Sequence, residues 1–392
     1  MRTAFDVIVL GLGAMGSASA FQLAKKGRRV LGIDQFSPPH NLGSSHGGTR
    51  VIRQAIGEGD EYVPLALRSY ELWREIEAAT GKSILETTGG LIIAGATTGI
   101  PIHGAKGFLE ETIRCAKKFG IRHSVLDTNQ IKTRFPQFNL IGNERAYYEP
   151  MMGFLRPELC IECQLFLAEK HGAEIRRNEK VLELIPSSHE VLIRTSSGQY
   201  TAEKVVVSAG SWITQFLEQE FAGSFKVYRQ ALYWFDIKDS LEPFLPGRFP
   251  VFIWVFGRHQ DDFIYGFPAI DGFGGGVKVA SEQHAFQTNP ETVEREVREE
   301  EIDSIYQRYV RDRLPGLSNK CVNTTTCLYT STPDSGFVID FHPLHSSVLI
   351  VSPCSGHGFK HSAAIGEVVA DLAITGQSSM NTKEFKIDRL GQ

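Results

Sequence analysis

The chain of 392 residues is long enough for two or three domains, and its composition, 42% hydrophobic and 22% charged, is ordinary for a globular protein. Its formal net charge of −4 provides no attraction to nucleic acid or to an anionic membrane, and no apolar run approaches the roughly 18 residues of a membrane span. We therefore expect small-molecule ligands rather than polymers and, because only Met1 to Ala4 precede the N-terminal strand pattern, a cytoplasmic protein without a secretion signal.

The cysteine pattern indicates buried side chains rather than chemistry. Six cysteines in a large chain without a secretion signal do not predict a disulfide framework. Cys160 and Cys163 form a C-x-x-C pair, which could indicate redox chemistry or half of a zinc site. However, they lie in the helical pattern RPELCIECQLFLAEK, where positions i and i+3 share a face, and no second C-x-x-C or fitting histidine pair accompanies them. We interpret both as buried helix cysteines and predict no metal site.

The strongest signal lies at the beginning of the chain. The apolar run from Asp6 to Leu10 is typical of a buried parallel strand, and Gly11, Gly13 and Gly16 follow it with G-x-G-x-x-G spacing at the start of a helical pattern. The first glycine permits a tight turn, the second lets the backbone approach a pyrophosphate, and the third lets helix and strand pack closely. The phosphates would then lie at the N-terminus of the helix.

A second apolar strand supports the same interpretation. It runs from Arg29 to Ile33 and ends at Asp34, 18 residues after Gly16, where a carboxylate can accept hydrogen bonds from an adenosine ribose and disfavours a 2′-phosphate. The alternative is a chance glycine cluster in a loop, but strand, glycines, helix, second strand and terminal acid all agree. The sequence therefore predicts a dinucleotide site, although this motif alone does not separate FAD from NAD.

The pattern after Asp34 predicts alternating helices and strands. In chain order, the predicted elements are a ligand-side loop over Ser37–Thr49, an amphipathic helix over Glu61–Ala79, a strand with a glycine break over Leu85–Ala94, a helix over Ala105–Phe119, a helix over Pro157–His171, a hairpin over Val181–Tyr200, a strand over Val205–Gly210, a helix over Trp212–Gln219 and a strongly charged helix over Pro290–Asp312. Arg50 and Arg53 follow the loop in a predicted turn or helix, where their spacing puts both cations on one side; solvated surface arginines are the alternative.

Two lobes are predicted from the distribution of these elements. The aromatic-rich strands between residues 225 and 280 indicate an antiparallel sheet, and the C-terminal strand SVLIVS, the loop PCSGHGFK and the helix after it return to the first lobe. That second helix N-terminus favours FAD over NAD. We predict an α/β fold: a Rossmann-like FAD-binding lobe from the discontinuous segments 1–85, 155–220 and 330–392, and an α+β substrate lobe with a mainly antiparallel sheet from 86–154 and 221–329, with ligands between the lobes.

Several further motifs carry a resemblance to a known family. They are SSHGGTRVIRQAIGEGDEYVPLA, YGFPA followed by GGGVK, CLYTSTPD with FVIDFHP, and SGHGFK near the end. In their order and spacing the chain resembles the monomeric sarcosine oxidase and N-methyltryptophan oxidase family of flavoprotein amine oxidases over nearly its full length. The resemblance implies one FAD per chain, attached through a cysteine thioether at the 8α-methyl position, and Cys327 in CLYT occupies that place.

The resemblance also implies roles for charged and aromatic residues. Arg53 and Lys360 would pair with the substrate carboxylate, while Arg50 would lie near the flavin. Lys278 would contact the flavin face where oxygen reacts, and Tyr265 and Tyr329 would line the substrate pocket. The resemblance implies a cofactor-binding set that contains Cys327 and shares Arg50 and Lys360 with the catalytic set. Its remaining positions are Gly11, Gly13, Met15, Gly16, Asp34, His46, Thr49, Val181, Gly356 and Gly358.

Elementary chemistry supports part of this assignment. A planar guanidinium matches a carboxylate bidentately, and a lysine acts as a fixed point charge. Without the resemblance, Cys327 is typical of a buried strand cysteine, the two tyrosines of core aromatics and Lys278 of a surface turn.

Two departures from the family pattern concern the substrate. Sarcosine-specific relatives carry a histidine four residues after the lysine, whereas this chain has Glu282 there and His284 two residues later. Cys354 stands where a phenylalanine usually precedes SGHGFK, which would shrink that wall and admit a larger N-methyl amino acid.

We therefore predict a monomeric FAD-dependent oxidase that converts secondary amino acids, N-methylated or cyclic, to imines and reduces O₂ to H₂O₂, with neither nucleic acid nor membrane as a partner. One alternative is a flavin dehydrogenase that uses another electron acceptor, which the yield of peroxide distinguishes. Another is a non-catalytic nucleotide-binding regulatory protein, which flavin reduction by an amino acid without oxygen would exclude.

Overall fold

The computed structural model describes residues 3–95, 102–105, 107–187, 190–257 and 262–391. Its strands are β1 (Thr3–Leu10), β2 (Val30–Ile33), β3 (Arg50–Ile52), β4 (Leu85–Thr87), β5 (Gly90–Ala94), β6 (Ser124–Leu126), β7 (Arg145–Glu149), β8 (Gly153–Leu155), β9 (Glu174–Arg176), β10 (Val181–Pro186), β11 (Val191–Thr195), β12 (Gln199–Val207), β13 (Lys226–Ile237), β14 (Val251–Val255), β15 (Phe263–Phe267), β16 (Val277–Ala280), β17 (Leu317–Ser331), β18 (Val338–His342) and β19 (His345–Ser352). The α-helices are α1 (Ala14–Lys25), α2 (Tyr62–Thr80), α3 (Phe108–Lys118), α4 (Thr128–Arg134), α5 (Pro157–Lys170), α6 (Gln219–Ala222), α7 (Glu299–Ile305) and α8 (Ser362–Thr375).

The N-terminal strand β1 lies at the centre of an eight-stranded sheet. It pairs in parallel with β2 on one side and β12 on the other, and Leu10 is in register with both Ile33 and Val207. The carboxyl ends of the three strands therefore meet at one edge, which is where ligands bind in sheets of this kind. Strands β9, β10, β11, β18 and β19 complete the sheet, with β19 parallel to β12.

Both faces of this sheet are covered, as the apolar sequence of β1 requires. Val7 and Val9 contribute to the core formed with helices α1, α5 and α8. Ile8 and Leu10 contribute to a second core on the other face, together with apolar residues of β2, β12 and β19. Because alternate side chains of β1 are buried in two different cores, the strand is held in one position in the sheet. The glycine turn that follows it is therefore held in place as well.

A second eight-stranded sheet has the order β17-β13-β16-β15-β14-β5-β7-β6. All its pairings are antiparallel except that of β5 with β14. One face packs on an aromatic core in which the Phe138 and Phe249 rings stack with centroids 5.1 Å apart. A small sheet, β3-β8-β4, makes up the remaining strands of the described chain. The predicted mixture of a Rossmann-like sheet and a mainly antiparallel sheet is confirmed, while the domain boundaries stay a prediction.

Three local predictions were wrong. Arg50 begins strand β3 instead of a turn or helix, so the one-sided helical spacing with Arg53 does not apply. The segment 210–222 forms a 3₁₀ helix over Gly210–Phe216 and the short α6 in place of one helix.

The charged helix predicted from Pro290 begins only at Glu299 and passes into a π-helical turn at Tyr306. The reason is visible upstream, where the carbonyls of Glu294 and Glu296 accept hydrogen bonds from the guanidinium of Arg229 at 2.8 and 2.6 Å. The two carbonyls therefore point to the Arg229 side chain, and the backbone before Glu299 is not helical.

Other predictions are confirmed with shifted ends. Cys160 and Cys163 are buried in α5, and burial raises the pKa of both thiols. The glycine break in the strand over 85–94 separates β4 from β5 at Gly89, where φ is +72°. The helix predicted from Ala105 begins at Phe108. The hairpin predicted over 181–200 is formed by β10 and β11, and the strand predicted over 205–210 begins earlier, at Gln199, and ends at Val207 as β12. In the part of the chain that the structure describes, each helix is too short or too polar to cross a bilayer.

Candidate active site

The glycine turn between β1 and α1 is built as the sequence predicts. Gly11 has a φ of +81°, and a Cβ there would lie 2.6 Å from the carbonyl oxygen of Ser208. A Cβ on Gly16 would lie 1.7 Å from the carbonyl oxygen of Gly11, so neither position admits a side chain. At Gly13, by contrast, the nearest atom to a Cβ is the Ser45 Oγ at 3.6 Å, and the backbone faces an open cavity.

Asp34 ends β2 at the same edge of the sheet. Its Oδ2 accepts the backbone N–H of Leu12 at 2.7 Å, and its Oδ1 accepts that of Phe36 at 2.8 Å. Burial raises the pKa of this carboxyl, and the two backbone donors oppose the shift. The side chain is thus fixed at the cavity wall beside the glycine turn, with acceptor capacity left for a ribose hydroxyl.

The first cavity has a volume of about 1350 Å³ and follows this edge of the sheet. It extends from Gly11 and Asp34 to Arg50 and Tyr329, which belong to other sheets. The predicted cofactor residues Gly13, Met15, Val181, Gly356 and Gly358 also line it. A cavity with a phosphate-binding turn at one end and a cation at the other fits an extended dinucleotide such as FAD.

A second cavity, of about 620 Å³, adjoins the first. The two share Arg50, Tyr329, Gly356 and Phe359 in their walls. Its apolar side chains are Val51, Ile102, Phe108, Ile253, Phe263 and Phe267. The shared residues mark the place where a ligand in the second cavity would meet the end of a cofactor in the first.

Arg53 and Lys360 lie together in the second cavity around a buried carboxylate. Arg53 donates to the Glu58 Oε2 at 2.5 Å and to the carbonyl of Ala55, and the Lys360 Nζ lies 4.0 Å from the Glu58 Oε1. Burial alone would raise the pKa of Glu58, but the Arg53 and Lys360 cations hold it well below its usual range. Burial lowers the pKa of Lys360 to about 7, against the field of Glu58.

The tyrosines predicted for the pocket are also there. The hydroxyl oxygens of Tyr265 and Tyr329 lie 3.4 Å apart, at the wall shared with Arg50. Burial raises the pKa of both phenols, so the hydroxyls keep their protons and can both donate and accept hydrogen bonds.

A histidine and an acid complete this wall. The His103 Nε2 lies 3.0 Å from the Glu282 Oε2, and its Nδ1 lies 3.4 Å from the Glu58 Oε1. Burial opposes the charged form, but Glu282 and Glu58 together raise the pKa of His103 to about 9. His284, two residues beyond Glu282, packs its ring against Tyr228 instead.

Lys278 lies apart from Arg53 and Lys360, in the wall of a third cavity with His46 and Thr49. Its buried Nζ donates to the carbonyls of Gly47 and Thr49 at 2.8 and 2.9 Å and to the Thr49 Oγ1 at 3.1 Å. Burial lowers the pKa of Lys278, and the Arg50 cation lowers it further. Burial also lowers the pKa of His46 to about 3, with the same two cations contributing.

Cys327 is buried on β17, two residues before Tyr329. Residues two apart in a strand point to the same face, so its thiol lies on the side of the sheet that carries the cavities. Burial raises the pKa of this thiol, and the Arg50 and Lys278 cations act in the opposite direction. Cys354 lines the first cavity, where its Sγ accepts the backbone N–H of Thr330 at 3.3 Å.

The sequence did not indicate every residue of the site. Glu58 stands inside the stretch that carried the resemblance, and its separation of five from Arg53 was the available signal. No sequence signal indicated His103, since it stands alone in a loop. His357 was part of the SGHGFK motif but was not predicted as a site residue. The ring of His357 stacks on that of His103 with centroids 4.9 Å apart.

Outside the cavities, three described side chains, those of Glu218, His342 and His345, lie close enough to share an ion. The Nδ1 of His342 accepts the backbone N–H of Leu344 at 3.2 Å, so its Nε2 carries the proton that faces Glu218 at 2.6 Å. The geometry is therefore that of a histidine–glutamate hydrogen bond.

A parallel sheet with a phosphate-binding turn, an acid at the end of β2 and a large cavity leading to buried cations define a dinucleotide-dependent oxidoreductase. The family model for FAD dependent oxidoreductases matches residues 6–372. The chain is 39% identical over 380 residues to the monomeric sarcosine oxidase of Streptomyces avermitilis, covering 97% of this chain and 96% of the relative. It is 31% identical to the N-methyl-L-tryptophan oxidase of Salmonella dublin, covering 99% and 100%.

Solved structures agree in fold. NikD, described as an unusual amino acid oxidase essential for nikkomycin biosynthesis, superposes with a TM-score of 0.84 at 23% identity over 98% of both chains. L-Proline dehydrogenase from P. horikoshii gives 0.80 at 21% identity, over 99% of this chain and 98% of the other. The chain belongs to the FAD dependent oxidoreductases, within the family of monomeric sarcosine oxidase and N-methyltryptophan oxidase. The predictions of this family, of its fold and of an FAD-dependent amine oxidase are confirmed.

Proposed function

We propose that the protein oxidises secondary amino acids, N-methylated or cyclic, to imines and passes the electrons to O₂, giving H₂O₂. The observation that carries the proposal is the pairing of Arg53 with Lys360 in a cavity that opens onto the cofactor cavity at Arg50 and Tyr329. Bound FAD supplies the two-electron redox chemistry, and the protein supplies binding, orientation and charge. The names of the relatives support the choice of amine substrate.

Arg53 and Lys360 bind the substrate carboxylate. Both are buried cations, and the anion beside them is the carboxylate of Glu58. A buried guanidinium recognises a carboxylate through two parallel hydrogen bonds, and the lysine adds a point charge. Holding the carboxylate at one end fixes the position of the amine relative to the shared wall, which is the geometric condition for the reaction.

Tyr265 and Tyr329 position the amine end. Their hydroxyls stay protonated, and Tyr329 stands where the two cavities meet, with the hydroxyl of Tyr265 3.4 Å away in the wall of the second cavity. The amine must be neutral to be oxidised, so a pair of neutral hydroxyls suits it better than a carboxylate would. Lys278, in its own cavity, serves the reaction with O₂. A fixed cation there stabilises the negative charge that develops on oxygen.

Cys327 is the attachment point for FAD in this proposal, and the protein acts as a monomer. Two observations support the attachment. Cys327 stands on the side of β17 that carries the cavities, and the nearby Arg50 and Lys278 cations favour its thiolate form. The name of the relative, monomeric sarcosine oxidase, supports the oligomeric state, which light scattering on the purified protein measures directly.

The test is flavin reduction without oxygen across a panel of sarcosine, N-methyltryptophan, pipecolate and proline. We expect at least one of them to bleach the flavin absorbance, and air to restore it with one H₂O₂ formed per flavin reduced. A dehydrogenase would be bleached in the same way but would reoxidise slowly in air. Absence of bleaching by every secondary amino acid in the panel would refute the proposed function.

A further inference from the structure

The His103–Glu282 pair is a buried charged group on the substrate side of the molecule that the proposed chemistry does not use. Glu282 is 5% exposed, stands two residues after the end of β16, and lines the second cavity together with Arg53 and Lys360. His103 stands in the turn Ile102–Ala105, which contributes to the same wall. Burying a charged pair costs free energy. A charged pair in the wall of a ligand cavity is therefore a candidate for a role in ligand binding.

The hydrogen-bonding capacity of the pair is one-sided. The raised pKa of His103 keeps its imidazolium form at neutral pH, and its two N–H groups face Glu282 and Glu58 at 3.0 and 3.4 Å. Both ring nitrogens of His103 therefore face carboxylates of the protein, Nε2 in a hydrogen bond with Glu282 and Nδ1 in an ion-pair contact with Glu58. Each carboxylate oxygen of Glu282 can accept two hydrogen bonds, so the capacity left for a ligand is that of an acceptor.

The wall of this cavity contains more than the groups that would hold the carboxylate and the amine. Besides Arg53, Lys360 and the two tyrosines, it includes the apolar Ile253 and Phe263 and the acidic Glu282. The charge of Glu282 also acts on Lys360 and on both tyrosines, so the carboxylate lies within reach of a bound amino acid. A substrate side chain that carries an N–H or O–H group satisfies the Glu282 carboxylate, whereas a purely apolar one leaves its oxygen without that partner.

We propose that Glu282 is a specificity residue that accepts a hydrogen bond from a hydroxyl, amide or amine on the side chain of the amino-acid substrate, and that His103 is a positioning residue for its carboxylate. The inference rests on the proposed function and names its substrate class: secondary amino acids with a polar side chain. Sites built to hydrogen-bond a substrate group reject the analogue that lacks it, because the protein group is left unpaired. For one hydrogen bond to a charged acceptor, we expect discrimination of about tenfold to a hundredfold.

The experiment compares matched substrates on the holoenzyme: 4-hydroxyproline with proline, and N-methylserine with N-methylalanine. We expect kcat/KM for flavin reduction to favour the hydroxylated member of at least one pair by about tenfold to a hundredfold. Glu282→Leu should bring that ratio close to one while the apolar member is still oxidised. Glu218→Leu, which breaks a glutamate–histidine contact outside the cavities, is the matched control and should keep the wild-type ratio.

A second measurement does not depend on turnover. Cyclopentanecarboxylate and its cis and trans 3-hydroxy derivatives lack the amine and bind without reacting, so calorimetry gives the ratio of their Kd values for the wild type and for Glu282→Gln and Glu282→Leu. His103→Ala should lower the preference for the hydroxylated ligand, and His103→Gln, which keeps a donor towards Glu282, should restore it.

A wild-type ratio near one in both measurements, or a ratio that Glu282→Leu leaves unchanged, would overturn the role of Glu282. If no amino acid reduces the flavin, the proposed oxidase function fails, yet the calorimetric ratio still decides whether Glu282 recognises the hydroxyl. The two failures are thus distinguishable.

Discussion

Replacing Lys278 with methionine separates the two halves of the proposed reaction. Lys278 lines the third cavity, whereas Arg53 and Lys360 line the second, and Phe267 is the one described residue that lines both of these cavities. The substitution therefore leaves the substrate contacts in place. We expect reduction of the flavin by the amino acid to change little, and the reaction of the reduced enzyme with O₂ to slow strongly.

The magnitude follows from the loss of one fixed charge. At about 4 Å and an effective dielectric constant near 20, a unit charge stabilises a developing anion by up to roughly 4 kcal/mol. Since each 1.4 kcal/mol changes a rate about tenfold, the upper limit is on the order of a thousandfold. Arg50 stays in the shared wall of the other two cavities and compensates in part, so we expect about a hundredfold to a thousandfold.

The protonation state of Lys278 matters to this estimate. Burial, and after it the Arg50 cation, lowers the pKa of Lys278, but three acceptors lie within 3.1 Å of its Nζ. The carbonyls of Gly47 and Thr49 accept stronger hydrogen bonds from an ammonium than from a neutral amine, so these contacts favour the ammonium form. The same contacts predict that Lys278→Met lowers thermal stability, because two carbonyls and a hydroxyl lose their donor.

Stopped-flow absorbance measures the half-reactions separately, first with substrate and no oxygen, then with oxygen after full reduction. Lys320→Met is the matched control, since Lys320 pairs with Asp236 at the surface at 3.0 Å, and both of its half-reactions should match the wild type. Normal reoxidation combined with slow reduction would place Lys278 in the substrate site and refute the reasoning.

Three further predictions concern the other parts of the site. Cys327→Ser should release the yellow colour into the supernatant after acid precipitation, whereas the wild-type pellet should stay yellow if the proposed thioether holds the flavin on the protein. Arg53→Ala should lower kcat/KM by at least about thirtyfold, since removing one partner of a buried charge pair costs roughly 2–5 kcal/mol, and amino amides should be poor substrates of the wild type. Because burial lowers the pKa of Lys360 to about 7, its charge is present below that pH and lost above it, so the Kd of cyclopentanecarboxylate should rise between pH 6 and 9, and Lys360→Met should abolish the rise.

Each of these has a contrary outcome. Free flavin in the wild-type supernatant would exclude the covalent bond, and equal turnover of an N-methyl amino acid and its amide would exclude a carboxylate site. A Kd that stays constant between pH 6 and 9 would mean that Lys360 does not titrate there. Cyclopentanecarboxylate is used for the last test because the amine of a substrate titrates in the alkaline range and would contribute to the profile.

The sequence predicted the parts of the fold that are determined locally. A Cβ on Gly16 would collide with Gly11, five positions earlier, and a Cβ on Gly11 would collide with Ser208 after the neighbouring strand. The apolar run of β1 correctly predicts a strand that is buried on both faces. The helix predicted over 290–312 shows the limit of this approach. Its charges are typical of an exposed helix, but Arg229, more than 60 residues earlier, takes the carbonyls that the first turns would have used.

The candidate site was predicted from motifs, and side chains outside the motifs were missed for a physical reason. Arg53 and Lys360 lie more than 300 residues apart in the chain, and only their family pattern suggested that they meet. His103 and Glu282 are separated by 179 positions and belong to no shared motif, so their contact arises entirely from how the turn after β5 lies against the end of β16. A single histidine in a loop gives no periodicity from which such a pairing could be inferred.

The buried cations of this site are distributed over the walls of three cavities. Arg50 stands at the boundary of the first and second cavities, Lys278 in the third, and the Arg53–Glu58–Lys360 group in the second. In the proposed reaction, Arg53 and Lys360 would attract the substrate carboxylate, and Lys278 would stabilise the developing oxygen anion in a different cavity. On this proposal, a change that moved Lys278 into the second cavity would strengthen carboxylate binding but would leave the oxygen reaction without its cation, so the separation of these cations would let one chain serve both half-reactions.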